Sequence, residues 1–188
     1  KEGMKIVAVS DVSGGLYCES GLDIDAIGAY LATRGNLLEN YNDGKAKHIS
    51  NAEVLTCDCD LLIPAALENQ LTESNAKDVK AKYIVEAANG PTTVEADAIF
   101  EKRGIPVIPD ILANGGGVVV SYFEWVQNLE HLSWDEEKVD KELVRIMMAA
   151  FHDVVDCATE KKSSFRMGAY MVALKRLVET AKIREVFP

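Results

Sequence analysis

Chemistry could reside first in the stretch Pro109–Trp125. It carries Asn114, then Gly115, Gly116 and Gly117, then residues at helical spacing through Ser121 to Trp125. An apolar run, Ile105 to Ile108, leads into it. Glycines at such a junction let backbone N–H groups approach a ligand closely, because no Cβ stands in the way. Asn114 brings an amide that can both donate and accept. Ser121 lies about two helical turns in, with Val118 on the same face at i−3. The pattern suits a strand end, a ligand-lined loop and a helix carrying a polar group back toward the ligand. A glycine-rich turn with no ligand fits the same residues.

Other strand ends share the character. In an open parallel sheet, ligands bind beyond the carboxyl ends of the strands. Four such ends can be read: Ser10-Asp11, Ala65-Ala66, Ala88-Asn89-Gly90 and Ala113-Asn114-Gly115. Small side chains leave room for a flat nucleotide, and a few polar groups fix its orientation. One Asn in a turn is usually only a turn former. Two at successive strand ends, with an acid at a third, point toward a ligand. An acid at the end of the second strand of a dinucleotide fold accepts hydrogen bonds from the adenosine ribose hydroxyls. It follows a glycine fingerprint by about 20 residues. Only ten residues precede Asp11. Either Asp11 is a plain turn residue, or the fingerprint falls before residue 1; the abrupt start at Lys1 favours the second. His48, His131 and His152 are scattered and sit beside no obvious nucleophile. Glu124 reads as a helix-face carboxylate, and Glu86, late in a strand, as a candidate for burial.

The elements that must position these residues alternate. Strands are expected over Met4–Val9, Asp60–Ala66, Tyr83–Ala88 and Pro106–Ile108. Val12–Gly15 reads as a turn followed by a loop to Gly21, and Asn36–Ile49 as a long surface loop. Helices are expected from Ile24 to Arg34 after Asp23, from Ser50 or Asn51 to Cys57, over Ser74–Val79, and from Thr93 to Arg103 with Gly104 as terminator. Past Gly117, Val118–Leu132 is helical. Asp135 caps a long helix with the stripe Val139, Leu143, Met147, Ala150, Val154 and Ala158. Tyr170, Leu174, Leu177 and Ala181 mark a last helix. The fold class is α/β: a Rossmann-like parallel sheet with flanking helices, lacking the first strand and glycine loop, followed by a C-terminal helical segment.

Composition narrows the partners. The 188 residues suffice for one domain, with or without a helical appendage. The formal charge of −10, from 20 basic and 30 acidic residues, argues against nucleic acid or an anionic membrane as partner. No apolar run approaches the roughly 20 residues that span a bilayer, and no signal-peptide pattern appears. Cys18, Cys57, Cys59 and Cys157 match no zinc template and read as reduced thiols of a cytoplasmic protein.

Several segments look familiar together. Val7-Ala8-Val9-Ser10-Asp11 with Ser13-Gly14-Gly15, Pro64 to Glu68, Glu86 to Thr93, and Pro109 to Asn114 through Trp125-Val126-Gln127-Asn128 stand in order over nearly the whole chain. They resemble the glutamate/leucine/phenylalanine/valine dehydrogenase family. The run Ser121-Tyr122-Phe123-Glu124-Trp125 points to its glutamate branch. The resemblance implies a two-domain subunit in a homohexamer. This chain would be a partial dinucleotide-binding domain over 1–188, with 1–114 the alternating part and 115–188 the C-terminal helices.

The implied reaction is reversible oxidative deamination of L-glutamate to 2-oxoglutarate and ammonium, with hydride passing to NAD, or alternatively NADP. By position, the resemblance implies that Asp11 and Ser13 serve the adenosine ribose and that Ala65 and Ala66 floor the cofactor. Asn89 and Asn114 would meet the nicotinamide ribose and carboxamide. Ser121 would hold the substrate's side-chain carboxylate, with Val118 lining that pocket. No catalytic residue is implied within the chain. The family's acid–base lysine and aspartate belong to the substrate domain, so the fragment alone is expected to be inactive. Gly115 stands where the family usually has Ala, a departure expected to loosen the turn. NAD is expected over NADP, because Asp11 repels a 2′-phosphate and Val12 to Leu16 bring no positive charge. Only Lys45 and Lys47 could fold back to supply one. A non-catalytic nucleotide-binding or assembly module on the same scaffold is the alternative.

Overall fold

The computed structural model describes residues 3–184. Its first sheet is antiparallel, with β1 (Ala8–Asp11), β2 (Gly14–Tyr17) and β3 (Lys47–Ile49) in that order. This corrects the expectation of a buried strand over Met4–Val9 followed by a turn and loop. Met4 and Ile6 are exposed. The chain reverses over Val12 and Ser13 and pairs back, with Asp11 opposite Gly14 and Ala8 opposite Tyr17. Gly14 and Gly15 are therefore strand residues. Gly14 has φ +147, and a Cβ on Gly15 would overlap the Val54 side chain. Asn36–Ile49 is not plain loop either. Leu38–Asn40 forms a 3-10 turn, and β3 pairs with β2, Gly15 opposite Ile49. Buried Leu16, Ile27, Leu38 and Tyr41 explain both corrections, since together they form a small core.

Two helices flank this part as the capping residues suggest. Asp23 Oδ1 accepts the Ala26 N–H at 2.9 Å and starts α1 (Ile24–Leu31), which stops short of Arg34. Ser50 and Glu53 form a capping box that opens α2 (Asn51–Thr56).

The second sheet is parallel, and its order is β4 (Leu61–Leu62), β5 (Tyr83–Val85), β6 (Val107–Ile108). Leu61 lies opposite Tyr83 and Ile84 opposite Val107. Leu62, Ile84, Leu71, Val79 and Phe100 form its core. Burial of a side chain the size of Phe100 contributes ~1.5–3 kcal/mol. Residues 73–78 form successive turns where a helix was expected. The Asn75 side chain competes for the backbone there, accepting from Thr72 N–H and donating to the Gln70 carbonyl. Thr93 caps α3 (Val94–Arg103), and Gly104, at φ +69, ends it.

The chain closes with α4 (Asp110–Ala113), α5 (Gly116–Glu130), α6 (Glu136–Lys161) and α7 (Phe165–Ile183). The α6 stripe faces inward, with Val154 and Ala158 fully covered. The α7 stripe does not. Tyr170, Leu174 and Leu177 are exposed, and Gly168 and Ala169 are buried instead. Gly168 decides this face, because a Cβ there would lie 3.0 Å from Ala158 Cβ and from the Val154 carbonyl. Only a bare backbone lets α7 sit that close to α6. Gly168→Ala is accordingly expected to lower stability by ~1–3 kcal/mol through overpacking. A denaturant midpoint unchanged from wild type would show that the helices part without cost. Among the described residues no helix is long and apolar enough to cross a membrane.

Candidate functional site

The carboxyl ends of the parallel strands meet on one edge. The Pro64 carbonyl accepts from the Ala87 and Ala88 N–H groups at 3.1 and 2.9 Å, which pins the tip after β4 to the tip after β5. Ala65 and Ala66 are left exposed beside it. Asn89 is exposed at the next tip, and Asn114 is the C-cap of α4. The Asn114 Nδ2 donates to Asn89 Oδ1 at 2.7 Å. The two asparagines predicted from separate strand ends are therefore bonded to each other. Their pairing leaves Asn89 Nδ2 as a donor and Asn114 Oδ1 as an acceptor, which complements a primary carboxamide.

Beneath this edge lies a charge cluster. Glu86, directly after β5, is fully buried. Its Oε1 accepts from Arg166 Nη2 at 2.7 Å, and its Oε2 from Arg166 Nη1 at 3.1 Å and from the Asp110 N–H at 2.8 Å. Arg166 Nε also donates to Asp97 Oδ2 at 2.9 Å, and its Nη1 lies 3.6 Å from Asp110 Oδ1. Burial pulls the guanidinium pKa down, but the hydrogen bonds to Glu86 and Asp97 more than offset this and raise it. Asp110 in turn accepts the Gly90 N–H at 2.8 Å. The expectation of a buried Glu86 holds; Arg166 was missed. A signal for it exists in the sequence. Arg166 sits in the first turn of a helix, where the macrodipole disfavours a cation. Such a residue needs carboxylates from elsewhere.

Asp11 and Ser13 lie on the other sheet. Asp11 Oδ1 accepts from the Ser13 N–H at 2.7 Å and the Ser13 hydroxyl at 2.5 Å, and Oδ2 accepts the Leu38 N–H at 2.9 Å. Ser13 Oγ accepts the Glu39 N–H at 3.1 Å. Burial alone would raise the Asp11 pKa, but the Ser13 hydroxyl and the Leu38, Ser13 and Gly14 N–H groups lower it below 3.8. Ionised Asp11 thus stabilises the hairpin above about its ordinary value, and loses that contribution as pH falls through the lower folded value. A carboxylate offers about four lone-pair positions. The Ser13 hydroxyl and the Ser13 and Leu38 N–H groups take three of them, and the Gly14 N–H faces the carboxylate as well.

The glycine run differs from the turn expected of it. None of Gly115, Gly116 and Gly117 has positive φ; Gly115 is at −61° as the N-cap of α5. The run joins two helices directly. A Cβ on Gly115 would lie 3.4 Å from the Leu112 carbonyl, so this position has room for an alanine. Gly116 faces Leu143 on α6. Val118 and Ser121 are both exposed on α5, next to Tyr122 and Trp125, and the Ser121 hydroxyl donates to the Gly117 carbonyl at 3.1 Å. That local bond satisfies the hydroxyl against its own helix. Glu124 is exposed, as are His48, His131 and His152. Cys18, Cys57, Cys59 and Cys157 are free thiols. Burial pushes the Cys59 thiol up to about 11.

Comparison with known proteins decides the family. The model of the family described as Glutamate/Leucine/Phenylalanine/Valine dehydrogenase matches residues 1–184. The chain belongs to this family. It is 44% identical over 182 residues to a cryptic catabolic NAD-specific glutamate dehydrogenase, GudB, of Bacillus subtilis, covering 97% of this chain and 42% of that protein. An NAD-specific glutamate dehydrogenase of Staphylococcus aureus is 46% identical over 182 residues, again 97% of this chain and 43% of the relative. The crystal structure of the hetero-hexameric glutamate dehydrogenase from Thermus thermophilus, in its Leu-bound form, superposes with TM-score 0.87 at 36% identity. It covers 99% of this chain and 43% of that one. This dehydrogenase-family chain thus spans less than half the length of the relatives it matches.

Proposed function

We propose that the chain is the cofactor-binding portion, over 1–188, of an amino-acid dehydrogenase that deaminates L-glutamate oxidatively and reversibly to 2-oxoglutarate and ammonium, with NAD as hydride acceptor. The observation that carries this is the hydrogen-bonded pair Asn89–Asn114 at the carboxyl edge of the parallel sheet, beside exposed Ala65 and Ala66. The alanines leave room for a flat ring, and the paired amides complement a carboxamide. NAD fits these residues. Bound there, it would supply the hydride acceptor for oxidation at the glutamate Cα.

This chain's residues bind and orient. Asn89 and Asn114 hold the nicotinamide ribose and carboxamide, Ala65 and Ala66 floor the cofactor, and Asp11 accepts from an adenosine ribose hydroxyl. Ser13 acts on the cofactor only through Asp11, since its hydroxyl is already bonded to that carboxylate. On α5, Ser121 turns its hydroxyl from Gly117 to the side-chain carboxylate of glutamate, and Val118 lines that pocket. The acid–base residues belong to the part of the enzyme beyond this chain, and the working assembly is a homohexamer in the cytoplasm. The NAD-specific relatives support the cofactor and the reaction, and the hetero-hexameric neighbour supports six subunits.

Ser121 provides the test. In a full-length enzyme that carries this chain, Ser121→Ala leaves a charged carboxylate short of one hydrogen bond, worth ~1.5–3 kcal/mol. KM for glutamate is expected to rise by about one to two orders of magnitude while that for norvaline stays near wild type. An unchanged preference between the two amino acids would remove Ser121 from the substrate site.

A further inference from the structure

We infer that Arg166 is a positioning residue for the nicotinamide end of the cofactor, holding the two loops that carry Asn89 and Asn114 in register from α7. The inference rests on the dehydrogenase reading and adds a residue to it that touches neither cofactor nor substrate.

The geometry runs in two steps. Arg166 grips both oxygens of Glu86, at 2.7 and 3.1 Å, from 80 residues away in sequence. Glu86 directly follows β5 and leads into Asn89. Its Oε2 also takes the N–H of Asp110, the first residue of α4, whose last turn is capped by Asn114. Asp110 then accepts the N–H of Gly90. Segments 86–90 and 110–114 are therefore tied three times, by Asp110 N–H to Glu86, by Gly90 N–H to the Asp110 carboxylate, and by Asn114 to Asn89. Arg166 is the cation that makes the first two ties affordable. Without it, Glu86 and Asp110 would be two carboxylates sharing one amide region beneath a buried edge, with Asp97 a third close by. Like charges so placed repel, and the two segments would separate.

A guanidinium suits this role and an ammonium does not. The planar fork meets Glu86 bidentately while its Nε is still aimed at Asp97. A lysine supplies the charge without the fork, so it can neutralise Glu86 but cannot fix the direction of its carboxylate. Arg166 also lies two residues before Gly168, where α7 presses closest on α6. The anchor is thereby fixed to the helical segment.

Binding of two ligands to the full-length enzyme separates positioning from general support. NADH engages both ends of the site, whereas ADP lacks the nicotinamide and its ribose. Arg166→Lys is expected to weaken NADH about tenfold and to leave ADP within about twofold of wild type. The same variant should lower kcat, with the KM for glutamate little changed. The double variant Arg166→Met with Glu86→Gln removes both charges and leaves no buried ion unpaired. It should fold, and it should show the same selective loss of NADH. Equal weakening of NADH and ADP, or of neither, overturns the inference. So does a double variant that binds NADH like wild type, since the arginine would then only neutralise Glu86. A wild-type enzyme that binds neither ligand would instead sink the dehydrogenase reading itself.

Discussion

Replacing Glu86 by alanine is expected to cost ~3–5 kcal/mol of stability, more than any other single substitution considered. The carboxylate is fully buried and has three donors: two from Arg166 and one from the backbone of Asp110. Alanine leaves a mostly buried guanidinium short of its best partner, an N–H at the start of α4 without an acceptor, and a cavity. Asp97 and Asp110 still face Arg166, which keeps the loss from being larger. Glu86→Gln keeps the shape and one acceptor oxygen, so it should cost less, ~1.5–3 kcal/mol. The check is the shift in denaturant midpoint at constant slope. A loss below about 1 kcal/mol for the alanine variant would mean that the cluster contributes little net stability, as buried ion pairs sometimes do.

The second large effect concerns cofactor choice. NAD is expected over NADP by roughly one to two orders of magnitude in kcat/KM, because a 2′-phosphate would meet the Asp11 carboxylate without a compensating cation. The structure tightens the argument made from sequence. Lys45 and Lys47 were the only lysines that could have folded back. Lys47 lies opposite Tyr17, at the far end of the hairpin from Asp11. Three residue steps separate Gly14 from Tyr17, about 10 Å at the usual rise. Lys45 lines the same shallow cavity as Lys5 and Tyr17. Ser13 cannot serve a phosphate either, since its hydroxyl already donates to Asp11. Asp11→Ser should narrow the preference about tenfold by removing the repulsion. It should also cost ~1–2 kcal/mol, because the Leu38 N–H loses its acceptor. A variant that loses NAD use without gaining on NADP would show that Asp11 serves the hairpin alone.

Much of this was legible in the chain because local chemistry and tertiary structure agree. Asp23, Ser50, Thr93 and Asp135 each cap the helix their position suggests. Asn89 and Asn114 stood out as expected strand ends and proved to be bonded, although Asn114 caps α4 and ends no strand. The hairpin at Asp11 was not legible, because Gly14-Gly15 carries the composition of a turn while Val54 packing makes it a strand. The apolar stripe on α7 misled for the opposite reason. Periodicity finds the larger side chains, but Gly168 wins the buried face by being small. Arg166 could not be read from spacing at all. Its partners lie 69 and 80 residues away and meet it only through the fold.

The central claim is that this chain carries the cofactor site of an NAD-dependent glutamate dehydrogenase. Steady-state kinetics of the purified full-length protein test it most directly. The account predicts glutamate-dependent reduction of NAD, the reverse reaction with 2-oxoglutarate and ammonium, and a lower kcat/KM with NADP. Tight NADH binding with no turnover of glutamate in either direction would contradict it and leave the chain as a binding or assembly module on a dehydrogenase scaffold.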